Sequence, residues 1–324
     1  MSVVYIGMDV HKDSFRLCAY EKIAQKVLAE TTCSADPAYI EKIIDNLVET
    51  YAFDETTTIQ AGYEAGIWGY SLYYALKGRE IDCVILAPST IAKSTKNVLN
   101  KNDRRDAKMI AESLANKSYS PVFVPDQADI EVKEYTRLRR DSKQACKKIK
   151  QQINALVLRL GYAYPSNKSK WTLAHLDWLK KLELPGLLRE ILDERLREYD
   201  HKVEELKRFD QRINELVQLP RHQKQIKELR CFKGIDTISA ITIQIETADF
   251  NRFSCAKAYA AYVGLTTRED SSGPKNRHGS ITLAGNRTIR TVLVEAAQSI
   301  ARGRAGYKSK ALKARQRDNR QEVN

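Results

Sequence analysis

The chain opens on short, largely apolar runs of strand length. "VVYIGMDV" (3–10) is β-branched and apolar, with an aspartate near its end. "FRLCAY" (15–20) and "KVLAETT" (26–32) follow across short polar turns, which predicts an antiparallel meander of three strands. Asp36-Pro37 then opens a helix whose apolar positions Ile40, Ile43, Ile44, Leu47 and Val48 recur at helical spacing. "TTIQAGYEAG" (57–66) reads as a strand carrying Glu64 towards its end, and "GYSLYYALKG" (69–78) as a short helix closed by Gly78. "IDCVILAP" (81–88) reads as a buried strand, followed by a helix through "KSTKNVL" and another over about 103–117. Strands followed by helices in this order predict an α/β layer with a mixed sheet.

From about residue 128 the rhythm changes. "EVKEYTRLRRDSKQACKKIKQQINALVLRLG" reads as a long helix with a basic polar face, and "YPSNKSKWT" as a loop after it. "LPGLLREILDERLREYDHKVEELKRFDQRINELVQL" is a second long helix, with near-heptad apolar spacing and alternating charges. The pair predicts an antiparallel coiled-coil arm, ended by Pro220. "LRCFKGIDTISAITIQIETADFNRF" (229–253) fits a helix-hairpin-helix, whose turn amides can meet phosphate, or equally a plain αα-corner. "CAKAYAAYVGL" is a small-residue helix; a Ser-Gly-Pro-rich loop and a last helix within "GNRTIRTVLVEAA" follow. The expected division is 1–125, an arm over 126–222, and a mostly helical C-terminal domain over 223–324.

Composition narrows the class. The 324 residues are 43% hydrophobic, which suits a globular protein with more than one core. No apolar run reaches the roughly 18 residues of a membrane span. "MSVVYIGMDV" lacks the basic start and long apolar centre of a signal peptide, so a cytoplasmic protein is expected. The six cysteines (18, 33, 83, 146, 231, 255) are scattered and form no CxxC, as befits thiols in a reducing compartment. A net charge of +13 and a pI near 9.3 point to a polyanionic partner, most simply nucleic acid.

The candidate chemistry begins in "KNDRRDAKMIAE" (101–112). Asp103 and Asp106 lie three apart, on one face of the predicted helix. Alone, the stretch reads as an ordinary salt-bridged surface helix. Its context differs, because Asp9 lies on the first strand and Glu64 near the end of a later one. In a ribonuclease-H-like fold the first strand is central, the fourth is its neighbour and the last helix packs across them. Such a fold would gather all four carboxylates. Four ionised carboxylates repel one another unless compensated, and two Mg²⁺ ions about 3.5–4 Å apart would compensate them and clamp a phosphoryl transfer. Lys101, Arg104 and Arg105 would then face nucleic acid. Arg139, Arg140, Lys147, Lys148 and Lys150 offer a second basic face on the long helix, and Arg287 and Arg290 a third on the last one. In "DSSGPKNRHG" (270–279) a serine before glycine, followed by Lys275, Arg277 and His278, suits a nucleophile beside phosphate-binding cations. By itself that stretch reads more simply as a turn.

Seven motifs then fall in order at matching distances: "YIGMDVHK", "GYEAG", "ILAPST", "NDRRDAKMIAE", "KGID", "AYVGLTTREDSSG" and "GNRTIRTVLVEAA". Together they resemble the DEDD-type transposases of Piv/MooV-like insertion sequences, the bridge-RNA-guided recombinases of insertion-sequence group one hundred and ten. The resemblance covers nearly the whole chain. It implies a RuvC-like domain, a coiled coil and a C-terminal transposase domain. It implies that Asp9, Glu64, Asp103 and Asp106 are the metal-binding set, and that Ser272, not Ser271, attacks a DNA phosphate to give a covalent phosphoserine. It further implies donor and target DNA and a structured bridge RNA as partners, a homo-oligomer, dimer to tetramer, and a nucleoid-associated place in the cytoplasm of a bacterium or archaeon. Family members commonly continue with further helices past "KALKARQ", whereas this sequence ends at "RDNRQEVN". Three other readings compete. A RuvC-type nuclease or junction resolvase would use the same carboxylates with water as nucleophile. A non-catalytic scaffold would need only the charge. An actin-like ATPase would need glycine-rich phosphate loops that the later sequence lacks.

Overall fold

In the computed structural model, residues 3–54, 56–88, 91, 103–272 and 275–301 are described, without the side chains of 103–104, 269–272 and 275–278. The predicted helix through "KSTKNVL" lies outside the described residues, as does Lys101. Strand β1 (Val3–Val10) is the middle of a five-stranded sheet of order β3-β2-β1-β4-β5. β2 (Ser14–Glu21) and β3 (Lys26–Ser34) complete the antiparallel meander, with β3 at the edge. β4 (Thr58–Glu64) pairs parallel with β1, and β5 (Cys83–Leu86) parallel with β4. Parallel neighbours need crossovers, supplied by α1 (Pro37–Tyr51) and α2 (Ser71–Lys77). Pro37 starts α1 where its missing N–H costs nothing, and Asp36 Oδ1 accepts from Ala38 N at 2.9 Å.

Strand alternation divides the two faces of the sheet. Val4, Ile6 and Met8 of β1 and Ala61 and Tyr63 of β4 enter one core with Ile40 and Leu47 of α1 and Leu72 and Leu76 of α2. The opposite face carries Tyr5, Gly7 and Asp9. It is covered by α3 (Asp103–Ala115), through Met109, Ile110 and Leu114 near Tyr5 and through a sealed layer of Cys18, Ala107 and Ala111.

The chain divides into two compact units, Met1–Val124 and Pro125–Asn324. The second is built on α4 (Gln127–Arg159) and α6 (Gly186–Leu216). These run antiparallel: Arg139 meets Asp210, Ser142 meets Glu205, and Cys146 shares a core with Tyr199. The connection between them holds a short helix, α5 (Leu173–Lys180). Pro220 does more than end this pair of helices; as the first residue of α7 (Pro220–Leu229) it opens the next. The turn between α7 and α8 (Thr237–Thr247) contains Gly234 at φ +87°. A Cβ there would lie 2.7 Å from the Ala296 carbonyl oxygen, so this turn rests on α10 (Arg287–Ala301). After α9 (Ala256–Tyr262), residues 270–272 and 275–279 are not a free loop. They belong to an antiparallel hairpin, β6 (Thr267–Ser272) with β7 (Lys275–Ile281).

Candidate active site

Gly7 and Gly62 are partners in the β1–β4 register and both face α3. A Cβ on Gly7 would lie 2.2 Å from the Ala107 carbonyl oxygen and 2.3 Å from the Ala111 nitrogen. A Cβ on Gly62 would lie 2.9 Å from Leu86 Cδ1 and 3.0 Å from Leu114 Cδ1. The two glycines thus let α3 sit directly on the backbone of β1 and close over β4. Two residues further along each strand, on the same face, come Asp9 and Glu64. The β1–β4 register runs to Met8 with Tyr63, so Asp9 and Glu64 are the next step on each strand. Adjacent strands lie about 4.8 Å apart, which sets the two carboxylates side by side. Asp106 directly precedes Ala107, in the turn of α3 that lies on Gly7. Asp103 begins the same helix, and its side chain is outside the described residues. Among the described side chains, which do not include that of Asp103, no three His, Cys, Asp or Glu form a group that could hold a metal ion.

The carboxylate edge is braced by residues that the sequence did not single out. His11 Nε2 lies 3.2 Å from Asp9 Oδ2, and the Asp9 side chain is 19% exposed. Trp68 Nε1 donates to the His11 carbonyl at 2.9 Å while its ring packs edge-on against Phe15. Tyr63 precedes Glu64 and points into the opposite core. Its hydroxyl donates to the Gly69 carbonyl at 2.9 Å and accepts from Tyr73 N at 3.1 Å, fixing the loop that leaves Glu64. Burial pushes this phenol well above its ordinary pKa, so it stays a donor.

The predicted nucleophile belongs to the second unit. Ser272 pairs with Lys275 at the last rung of the β6–β7 hairpin. The foot of the hairpin is clamped by close backbone approach. Gly264 (φ +72°) and Gly285 (φ +81°) each sit where a Cβ would come 1.9 Å from a carbonyl oxygen, of Ala284 and Tyr262 respectively. Arg290 Nη1 donates to the Val263 carbonyl at 2.8 Å and to that of Ala284 at 3.3 Å. Asn286 at this foot donates through Nδ2 to Glu246 Oε2 at 2.9 Å and caps α10 with its Oδ1. The Glu246 side chain is 1% exposed and also takes Lys133 at 3.3 Å and Arg137 at 2.9 Å, both from α4. Burial alone would raise the Glu246 pKa. The hydrogen bond from Arg137, the charge of Lys133 and the hydrogen bond from Asn286 outweigh burial and hold it below the ordinary glutamate value.

Two family models match this chain. A transposase model of the DEDD, IS110 type matches residues 6–161, which include the four acidic positions. A second, described as "Transposase IS116/IS110/IS902 family", matches residues 226–313, which include Ser272. The chain belongs to the IS110 group of insertion-sequence transposases. The transposase for insertion sequence element IS1533 of Leptospira borgpetersenii is 29% identical over 252 residues, 76% of this chain and 70% of its own. The transposase for IS1111A of Coxiella burnetii is 22% identical over 300 residues, 92% of this chain and 78% of its own. The y4qE protein of Sinorhizobium fredii is 30% identical over 238 residues, and this chain spans 57% of its length.

The basic residues of this IS110-group chain divide into two kinds. Arg139 pairs with Asp210 at 2.7 Å, Arg140 donates to Thr288 Oγ1, Lys150 lies over the rings of Trp171 and Tyr199, and Arg290 holds the hairpin foot. These four are engaged within the fold. Lys147, Lys148, Arg105 and Arg287 are exposed. The side chains of Arg104, Lys275 and Arg277 lie outside the described residues, as Lys101 does altogether. Glu246 escaped sequence reading because nothing local marks it. Its cations come from a helix more than a hundred positions earlier.

Proposed function

We propose that this chain is the DNA recombinase of its insertion sequence, cutting and rejoining DNA through a phosphoserine at Ser272. On this reading Met1–Val124 is a ribonuclease-H-like, RuvC-like domain whose Asp9, Glu64, Asp103 and Asp106 act on the DNA, and a structured bridge RNA pairs with donor and target. The observation that carries it is the seating of α3 on Gly7 and Gly62, which sets Asp9 and Glu64 on adjacent strand ends beside the start of the helix. The family match over the same residues supports it.

The donor set is all carboxylate oxygen, which suits a hard divalent cation such as Mg²⁺. Asp9, Glu64 and Asp106 would hold it together with Asp103, and it would supply neutralisation of the charge on the phosphate. In the transfer, the Ser272 oxygen bonds to phosphorus and loses its proton to solvent. The bond from phosphorus to the leaving deoxyribose oxygen breaks, and that oxygen takes up a proton. A homo-oligomer, dimer to tetramer, would let a hairpin serve the carboxylates of another protomer. No helix among the described residues is long and apolar enough to cross a membrane.

The test is a denaturing gel of protein incubated with RNA and cleavable DNA. Ser271→Ala is expected to retain a covalent protein–DNA adduct and Ser272→Ala to lose it. Asp106→Asn is expected to lose the adduct while binding DNA within about twofold, since it removes an acidic ligand and no phosphate contact. DNA cleavage without any adduct, in wild type as in Ser272→Ala, would replace this reading with a water-using nuclease.

The exposed lysines of α4 carry a separate expectation. Lys147→Ala with Lys148→Ala should lower the slope of log affinity against log salt by about one unit per lost phosphate contact. An unchanged slope, measured by fluorescence anisotropy on duplex DNA, would return this face to solvent. Substituting Arg139 or Lys150 should instead show as lost stability, because both act inside the fold.

A further inference from the structure

We infer that the open groove beside α3 holds a single nucleic-acid strand by its phosphodiester backbone and delivers it to the Asp9–Glu64 edge; the inference rests on the recombinase reading of that edge. α3 lies over β1 and β2, and the edge strand β3 flanks an open groove of about 860 Å³. Arg16, Val27, Glu30 and Thr32 line it on the strand side, and Lys108 on the helix side.

Arg16 connects the groove to the candidate site. It is the cross-strand partner of Asp9 in the β1–β2 register and of Thr32 in the β2–β3 register. Directly opposed residues share a face. Glu64, Asp9, Arg16 and Thr32 therefore form one row across four strands, on the side that α3 covers. A guanidinium stands one strand from a carboxylate that acts on phosphate. Its Nε donates to Thr32 Oγ1 at 3.2 Å, the one hydrogen bond it makes among the described residues. That bond holds the side chain and leaves the two terminal nitrogens as the fork that grips a phosphate.

Lys108 supplies the second cation. It is 45% exposed, and its pair with Glu112 at 3.7 Å is long. An exposed helix pair of this kind contributes little and is readily exchanged for a phosphate. Arg105 is exposed one turn earlier on the same face of α3. The groove is not uniformly positive, because Glu30 also lines it. Glu30 pairs with Cys18, one same-face step further from the Asp9 row than Arg16. Arg16 stands in the Asp9 row and Glu30 one same-face step away from it, so the Arg16 end of the groove, with Lys108 on the helix side, is where a phosphate is held. Lys108 was not among the basic residues that the sequence singled out, and Arg16 looked like an ordinary strand residue. Only the strand register brings Arg16 beside Asp9.

The experiment uses the full chain carrying Asp106→Asn, so that binding is read without cleavage. Anisotropy is measured over a salt series with a labelled oligodeoxynucleotide and an oligoribonucleotide of the same sequence. Arg16→Ala with Lys108→Ala is expected to weaken binding at least tenfold. It should also flatten the salt slope by about 0.7 for each of the two lost single-strand contacts. Lys42→Ala, an exposed lysine on α1, serves as the control and should change neither. Arg16→Lys should keep the slope and lose affinity, because charge remains and the fork is gone; Lys108→Ala alone tests the groove with a surface change that cannot disturb folding. A deoxy-only effect identifies the strand as DNA, and a ribo-only effect as the RNA. Unchanged affinity and slope for both oligonucleotides would overturn the groove, even if wild type forms its adduct. Changed binding with no adduct from wild type would keep the groove and remove the recombinase reading.

Discussion

Gly7→Ala is expected to destabilise the first unit by about 3 kcal/mol, the upper end of the cost of overpacking. The added methyl would meet the Ala107 carbonyl oxygen and the Ala111 amide, both backbone atoms of α3, at 2.2 and 2.3 Å. No rotamer change relieves such a contact, so the helix must lift from the sheet. Gly62→Ala is the matched comparison. Its nearest neighbours are the side-chain ends of Leu86 and Leu114, which can move, and its cost should be about 1 kcal/mol. Urea unfolding followed by the fluorescence of Trp68, the one tryptophan of this unit, would separate the two. Gly7→Ala should also lose the protein–DNA adduct, because lifting α3 carries Asp106 away from Asp9 and Glu64. Equal midpoints for the two variants would show that α3 does not bear on β1 this closely.

Glu246→Ala should cost the second unit about 3 kcal/mol, through stranded charge more than lost packing. It removes the carboxylate that Lys133, Arg137 and Asn286 share. Lys133 is buried and would lose the carboxylate it meets at 3.3 Å, whereas Arg137, 38% exposed, could turn to water. Glu246→Gln keeps the shape and the bond to Asn286 but not the charge, and should fall between. The sign with pH follows from the direction of the shift. The folded glutamate is held below its unfolded value, so its stabilisation is present above the ordinary glutamate range and fades as pH falls through the folded pKa. Wild-type stability, read from Trp171 and Trp178, should therefore drop on the acid side more steeply than that of Glu246→Gln. Parallel acid limbs would mean that Glu246 is not the titrating group.

The first unit was largely legible because its core is written in one-dimensional signals. The β-branched apolar run "VVYIGMDV" marked β1 over its full extent, and Asp36-Pro37 marked the start of α1 at the residue where it begins. The long helices were equally plain from their periodicity. The β6–β7 hairpin was not. "TREDSS" and "KNRHGSI" are polar on both faces, so the period-two apolar signal that marks a strand is missing, and the glycine and proline between them read as a loop. Helix α5 hid in a stretch read as connection. The expectation for Asp9, Glu64 and Asp106 rested on the strand order of a ribonuclease-H-like fold and on the family resemblance. The sequence alone carried no hint that Gly7 and Gly62 are register partners, since parallel pairing joins positions far apart. Arg139 and Lys150 looked like solvent-facing cations because their partners, Asp210, Trp171 and Tyr199, lie on segments that only the antiparallel fold-back brings near.

The layer of Cys18, Ala107 and Ala111 gives the molecule a built-in clock. The Cys18 thiol is fully buried beneath α3, while Cys255 is exposed and Cys33 and Cys231 partly so. A thiol reagent should consume the accessible cysteines first, and Cys18 only at the rate at which α3 parts from the sheet. When reclosing outpaces labelling, that rate reports the free energy of opening, residue-resolved by mass spectrometry and distinct from global unfolding. The same helix carries Asp106, so the slow thiol would time how often the candidate active site comes apart.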